Sequence, residues 1–284
     1  MRILITNDDG VHSPGLLAVR DRLVAIADSV ITIAPETDCS GLAQACTFSR
    51  PVSVTRLSGG DHAVFSCDGT PTDCVRVGLL GGLAARTDLV VCGINHGANL
   101  ADDVAYSGTI GAGREAAILG TSALCLSQQT PTGSFAVNYR EDLEQLGLRY
   151  DFEVAASYAA DLARAMCQGP ASEPVVLNVN FPANVASTEG VLTRVGRRAY
   201  PRSGSPAWAE GEKTRSYYLF GRPDEEFAEE GDASGTDIAA LRAGRISVMA
   251  VPVSWQPDHL TGQEHEYLDG LSARLRPPHS LLVV

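Results

Sequence analysis

A chain of 284 residues with 44% hydrophobic and 20% charged side chains can bury a sizeable core without disulfides. Its formal net charge of −12 argues against a general affinity for DNA, RNA or anionic membranes, whose phosphates attract Lys and Arg. A single bound phosphate is not excluded, provided a metal ion or backbone dipoles supply the positive field.

Residues 2–6 (Arg-Ile-Leu-Ile-Thr) read as a short strand that stops at Asn7-Asp8-Asp9-Gly10. A start that meets two aspartates so soon predicts no signal peptide, and no apolar run approaches a membrane span. A helix should follow, with Ser13 as N-cap and Pro14 in the first position, running to about Ala27. A second strand at 30–34 ends at Pro35, so the opening is a βαβ unit with parallel, buried strands. Residues 36–50 form a polar loop, and strands are expected at 51–57 and 62–67. Thr70-Pro71-Thr72-Asp73 caps a helix to about Leu83. Asp88–Ile94 is a buried strand that breaks at Asn95-His96-Gly97-Ala98-Asn99. A helix starts near Gly108, a strand runs from Ser122 to Leu126, and 151–167 and 175–179 continue the helix–strand pattern.

After Pro182 the texture changes. Residues 190–221 alternate like strands of an antiparallel extension, 222–237 read as an acidic loop, and Ile246–Val253 as a late strand returning to the core. The expected organisation is a Rossmann-like α/β core over 1–189, three-layered with a mostly parallel sheet, and a β-rich C-terminal extension over 190–284 that serves oligomerisation. The seven cysteines are odd in number and lack any C-x-x-C pair, which points to buried, reduced thiols and a cytoplasmic location.

Four segments carry chemistry. Asp8 and Asp9 follow the first strand, where open α/β sheets bind ligands. Adjacent carboxylates repel unless a cation lies between them or one is protonated, and a hard divalent ion suits oxygen ligands. Read alone, the pair is equally a solvated turn capping the next helix. Asp38-Cys39-Ser40-Gly41 offers a hydroxyl and backbone N–H groups, or simply a turn. Gly93-Ile94-Asn95-His96-Gly97-Ala98-Asn99 offers neutral amide oxygens, or an Asn/Gly turn. Tyr106-Ser107-Gly108-Thr109 opens a helix, and a helix start is a natural phosphate seat, although capping alone explains Ser107. The histidines at 12, 62, 96, 259, 265 and 279 are scattered. No Ser-His-Asp set is indicated, and His96 is expected to be an exposed loop residue.

The order and wording of these segments resemble the SurE survival-protein nucleotidases. The matching stretches are Ile5–Gly10, Ser40-Gly41, Asp68–Val75, Gly93–Asn99, Tyr106–Thr109 and Leu177–Pro182, with weaker similarity at Gly235-Thr236-Asp237 and Ile246-Ser247-Val248. The resemblance implies a phosphatase that depends on one divalent metal ion per subunit, Mg2+ or Mn2+. Its substrates would be nucleoside 5′- and 3′-monophosphates and sometimes short polyphosphate. Carried over by motif, Asp8, Asp9, Ser40 and Asn95 would be metal ligands, and Asp8 or Asp9 would orient or deprotonate the attacking water. Asn99, Ser107, Gly108 and Thr109 would face the phosphate. The resemblance also implies a C-terminal segment exchanged between subunits of a homodimer or homotetramer. The chain departs from the family pattern at Asp38-Cys39, where Asn-Arg is usual, at Cys92, where Ser is usual, and in residues 129–150 and 197–234. A haloacid-dehalogenase-type phosphatase would want a second Asp two positions after the first, whereas Asp8 is followed by Asp9-Gly10-Val11. A non-catalytic nucleotide-binding regulator is opposed by retention of Asp8, Asp9, Ser40 and Asn95.

Overall fold

The structure is a computed structural model that describes residues 1–133, 143, 146–168, 173–185, 189–199, 205–206, 217–218, 228–229, 231 and 234–254. The first strand, β1 (Arg2–Thr6), leads through α1 (Pro14–Val24) to β2 (Ser29–Pro35), which pairs with it in parallel. Ser13 caps α1 by accepting from Leu16 N–H, and Pro14 occupies the first turn, where its missing N–H costs nothing. The hairpin β3 (Val54–Ser58) and β4 (Val64–Cys67) adds to the free side of β2. The strand expected from residue 51 begins at 54 because the Asp68 carboxylate takes the Ser53 N–H at 2.8 Å in place of a ladder partner.

Helix α2 (Pro71–Leu79) opens with a complete Thr70/Asp73 capping box, as its sequence predicts. It stops short of Leu83 because Gly81-Gly82 follows and Gly82 turns at φ +86°, a conformation that favours glycine. The chain then crosses to the other side of β1. There β5 (Leu89–His96) pairs with β1 in parallel. It is followed by a 3-10 turn (Ala101–Tyr106), α3 (Gly108–Ile118), β6 (Ala123–Gln128), α4 (Glu153–Gln168) and β7 (Val176–Phe181). Strand β8 (Gly190–Leu192), helix α5 (Asp237–Arg242) and strand β9 (Ile246–Val251) complete the main elements. The nine strands lie in the order β3-β4-β2-β1-β5-β6-β7-β9-β8.

Alternation along β1 builds the layers. Ile3 and Ile5 face a core shared with Leu16, Val19 and Leu23 of α1 and with Ala155, Ala159 and Ala163 of α4. Leu4 faces the other way, against Gly78 of α2. The small residues on α4 let that helix approach the sheet closely. On the opposite face a Cβ at Gly113 of α3 would lie 2.2 Å from Cys125 Sγ.

The late strand returns to the core as expected: β9 pairs antiparallel with β7 over Ser247–Val251. The antiparallel reading of 190–221 is corrected in part. Strand β8 runs parallel to β9, while 205–206 and 217–218, and likewise 198–199 and 228–229, pair antiparallel. The rest of that stretch, most of the acidic loop and residues 255–284 lie outside the described residues. All seven cysteines are unpaired thiols, and Cys67, Cys74, Cys92 and Cys125 are buried.

Candidate functional site

Strand order reverses at β1. Its connection through α1 leads to β2 on one side, and β5 lies on the other. The crevice outside the carboxyl ends of β1 and β5 is therefore the topological switch point, where doubly wound sheets bind ligands. Asp8 and Asp9 leave β1 there, and Asn95 and His96 end β5.

Asp8, Asp9 and Ser107 are 2%, 8% and 7% exposed, which sets aside the solvated turn as a reading of the aspartate pair. The start of α3 holds Asp8. Thr109 donates its backbone N–H to Asp8 Oδ2 at 3.0 Å and its hydroxyl to Oδ1 at 2.7 Å. Gly108 permits this approach, since a Cβ there would lie 2.9 Å from Oδ2. Thr109, expected to face an anion, thus directs both donors to the carboxylate. Burial first, and the neighbouring Asp9 charge second, push the Asp8 carboxyl up to about 6, against the two Thr109 bonds.

Asp9 is tied to β5. It accepts the His96 backbone N–H at 3.2 Å on Oδ2. The His96 ring brings Nδ1 to 2.9 Å from Oδ1 without the alignment of a hydrogen bond. Tyr150 and Phe152 meet that ring edge-on at 4.8 and 5.2 Å. His96 is therefore packed against the carboxylate pair, a correction to the exposed loop residue expected. Its sequence signal was adjacency to Asn95; the aromatic cover comes from residues more than fifty positions away.

The loop after β2 docks on the same rim. Cys39 N–H donates to the Asp8 carbonyl at 2.7 Å, and Ala43 N–H to the Tyr106 carbonyl at 3.0 Å. Ser40 is exposed and donates its hydroxyl to Asp38 Oδ1 at 2.6 Å. Asp38, part of the Asp38-Cys39 departure from the family wording, so fixes the hydroxyl proton and leaves the Ser40 oxygen lone pairs as donors to a cation. Asn95 donates its amide N–H to Gly97 O at 2.9 Å, which leaves its amide oxygen available in the same way.

The Asn99 side chain turns to the ends of β6 and β7, donating to Ser127 Oγ at 2.8 Å. Ser107 caps α3 by accepting Ile110 N–H at 3.2 Å; its hydroxyl proton remains a donor. With Thr109 N–H on Asp8, Ile110 N–H on Ser107 Oγ and Gly111 N–H on the Ser107 carbonyl, Gly108 supplies the first-turn N–H left for a ligand. Asp237 was noted in the sequence only as weak similarity. It is fully buried and accepts from the N–H groups of Ala101, Gly196 and Ile238, each at 2.9 Å. Arg198 pairs with Asp103 and donates its backbone N–H to Asp102 at 2.9 Å. Both contacts brace the 3-10 turn that joins Asn99 to Ser107.

A cation fits this donor set. Two adjacent carboxylates are buried together, and among the described residues no ion pair reaches Asp8. No group of three or more His, Cys, Asp or Glu side chains that could hold a metal comes together among the described residues. A metal here would therefore combine the two carboxylates with neutral oxygens, the set that hard divalent ions accept. A cavity of about 770 Å³ opens elsewhere, at the amino-end rim beside Met1, Asp88, Ser122 and Arg164. It holds none of these residues.

A doubly wound α/β sheet with buried carboxylates against a helix start at its switch point places the chain in the class of α/β proteins whose ligand crevice lies at the carboxyl ends of the strands. The chain belongs to the SurE family: the family model described as "Survival protein SurE" matches residues 3–202. A protein named 5′-nucleotidase SurE from Geobacter sulfurreducens is 38% identical over 250 residues, covering 87% of this chain and 86% of the relative. A relative of the same name from Brucella anthropi is 37% identical over 280 residues, 97% of each chain. The crystal structure of the SurE protein from Aquifex aeolicus superposes with a TM-score of 0.73 at 28% identity, covering 95% of this chain and all of that one. No helix among the described residues is long and apolar enough to cross a membrane.

Proposed function

We propose that the chain is a divalent-metal-dependent phosphomonoesterase that hydrolyses nucleoside 5′-monophosphates, and 3′-monophosphates as a second substrate class, to nucleoside and phosphate. The observation that carries this reading is the buried Asp8–Asp9 pair held against the start of α3 at the switch point. The names of the relatives, 5′-nucleotidase SurE, support the substrate class.

Asp8, Asp9, Ser40 and Asn95 would hold one Mg2+ or Mn2+. When bound, such an ion offsets charge on a phosphate oxygen and makes a water acidic enough to serve as nucleophile. Asp9, anchored by His96 N–H, orients that water or takes its proton. Ser107 O–H, Gly108 N–H and the Asn99 amide bind the phosphate oxygens, and the positive end of the α3 dipole favours their charge. Thr109 keeps Asp8 in place, a supporting role in place of the anion contact its motif implies. The C-terminal segment, with its short antiparallel pairs, would join subunits into a homodimer or homotetramer.

The test is a panel of phosphomonoesters assayed with Mg2+, Mn2+ and EDTA. Hydrolysis of nucleoside monophosphates should vanish with EDTA and return with either ion. Full activity in chelated, metal-free protein would end the proposal.

A further inference from the structure

Strand β7 carries two asparagines, Asn178 and Asn180, and β6 carries Ser127; all three are fully buried. Asparagine is depleted in strands, and a buried amide is costly unless its hydrogen bonds are made. Here most of them converge on one residue. Asn180 Oδ1 accepts Asn99 N–H at 2.8 Å, and its Nδ2 donates to Asn99 O at 3.1 Å and to Asn178 Oδ1 at 3.2 Å. Asn178 Nδ2 donates to the same Asn99 carbonyl at 2.9 Å. Ser127 is the register partner of Asn180 across β6 and β7, and its Oγ accepts from Asn99 Nδ2 at 2.8 Å. Two neighbouring strands thus fix the backbone of Asn99 on both its N–H and C=O and fix the direction of its side chain.

We infer that Ser127, Asn178 and Asn180 are positioning residues that hold the Asn99 amide for the phosphate. The inference rests on the proposed function, since it takes Asn99 as a phosphate contact. One N–H of the Asn99 amide is engaged by Ser127 and the other is left to donate, so the rigid frame pre-organises a donor that a free loop would have to order on binding.

The experiment is a double-mutant cycle between Ser127→Ala and Asn99→Ala in the full-length chain. Inorganic phosphate is titrated calorimetrically into Mn2+-loaded protein, and KM and kcat are measured with p-nitrophenyl phosphate. Ser127→Ala should weaken phosphate binding by about threefold to tenfold, the loss of one buried hydrogen bond. KM should rise in proportion, and Mn2+ affinity should stay unchanged. In the Asn99→Ala background the same change should add less than about twofold, because the two residues act as one unit. Additive effects, unchanged phosphate affinity or an equal loss of Mn2+ affinity would overturn the inference. Asn178→Ser, which removes one bond to the Asn99 carbonyl, is read in the same way should Ser127→Ala not fold. A wild-type protein that neither hydrolyses the ester nor binds phosphate would instead overturn the function on which the inference rests.

Discussion

The two halves of the rim meet their electrostatic needs in opposite ways. At the ends of β1 and β5, like charges are buried side by side, and Thr109 offers Asp8 two neutral donors, its backbone N–H and its hydroxyl. Around Asn99 and Ala101, by contrast, the buried groups answer one another: amides of β7 meet a backbone N–H and C=O, and the Asp237 carboxylate meets three N–H groups. A network satisfied from within stabilises and rigidifies. A like-charged pair in a buried crevice destabilises the metal-free fold and is retained where function requires it. On the proposed function the first half is the reactive part and the second its frame, and substitutions should separate them.

The largest effect should come from the charged half. Asp9→Asn keeps the side-chain size and removes a charge from the proposed cation site. Turnover should fall by on the order of a thousandfold or more at saturating substrate, with Mn2+ affinity reduced and the thermal stability of the metal-free protein kept or raised. Wild-type Mn2+ affinity by calorimetry would remove the ligand assignment. Asp237→Ala should do the reverse. It strips the acceptor from three buried N–H groups and should cost on the order of 4 kcal/mol in urea denaturation, while any protein that remains folded still binds Mn2+. A loss below about 1 kcal/mol would collapse the contrast.

A third effect is read from pH. The Asp8 carboxyl sits at about 6 in the folded chain, against an ordinary value of 3.8. A raised folded value means stability that is fully present below about pH 4 and lost as pH rises through 6, here roughly 3 kcal/mol. Metal-free wild type should therefore melt progressively lower across that window, relative to Asp8→Asn. The asparagine can still accept Thr109 N–H while the Thr109 hydroxyl reverses to accept from its amide. Parallel pH profiles for the two proteins would show that the pair is not the source of the strain.

The smallest separable effect is at Ser107. Ser107→Ala should lower kcat/KM about tenfold to hundredfold, one hydrogen bond to a charged group, with Mn2+ affinity intact. Because the hydroxyl also caps α3, about 1 kcal/mol of stability should go with it. Full kcat/KM in the variant would take Ser107 out of the phosphate site.

Sequence legibility divided along the same line. The charged half was readable because each piece carries a local signal: apolar strands that end in Asp8-Asp9 or Asn95, and a serine at a helix start. Thr70 with Asp73, and Ser13 with Pro14, announced their caps for the same reason. Partners across the fold left no such mark. His96 looks like any loop histidine until β5 brings it against Asp9 and Tyr150 covers it. Asn178 and Asn180 count against a strand in propensity alone, and their reason for being there is Asn99, some eighty positions earlier. The parallel pairing of β8 with β9 was hidden likewise, since alternation gives the faces of a strand and not the direction of its neighbour.

The Asp237 clamp has a consequence for the order of synthesis. Ala101 N–H waits for a carboxylate 136 residues further along the chain, so the ribosome makes both aspartates, the Ser40 loop and the whole of α3 before the brace beneath Asn99 can close. A nascent or truncated chain lacking residue 237 would carry the carboxylate pair without its finished frame. Competence for phosphate would then arrive only once residue 237 has been added and has reached Ala101.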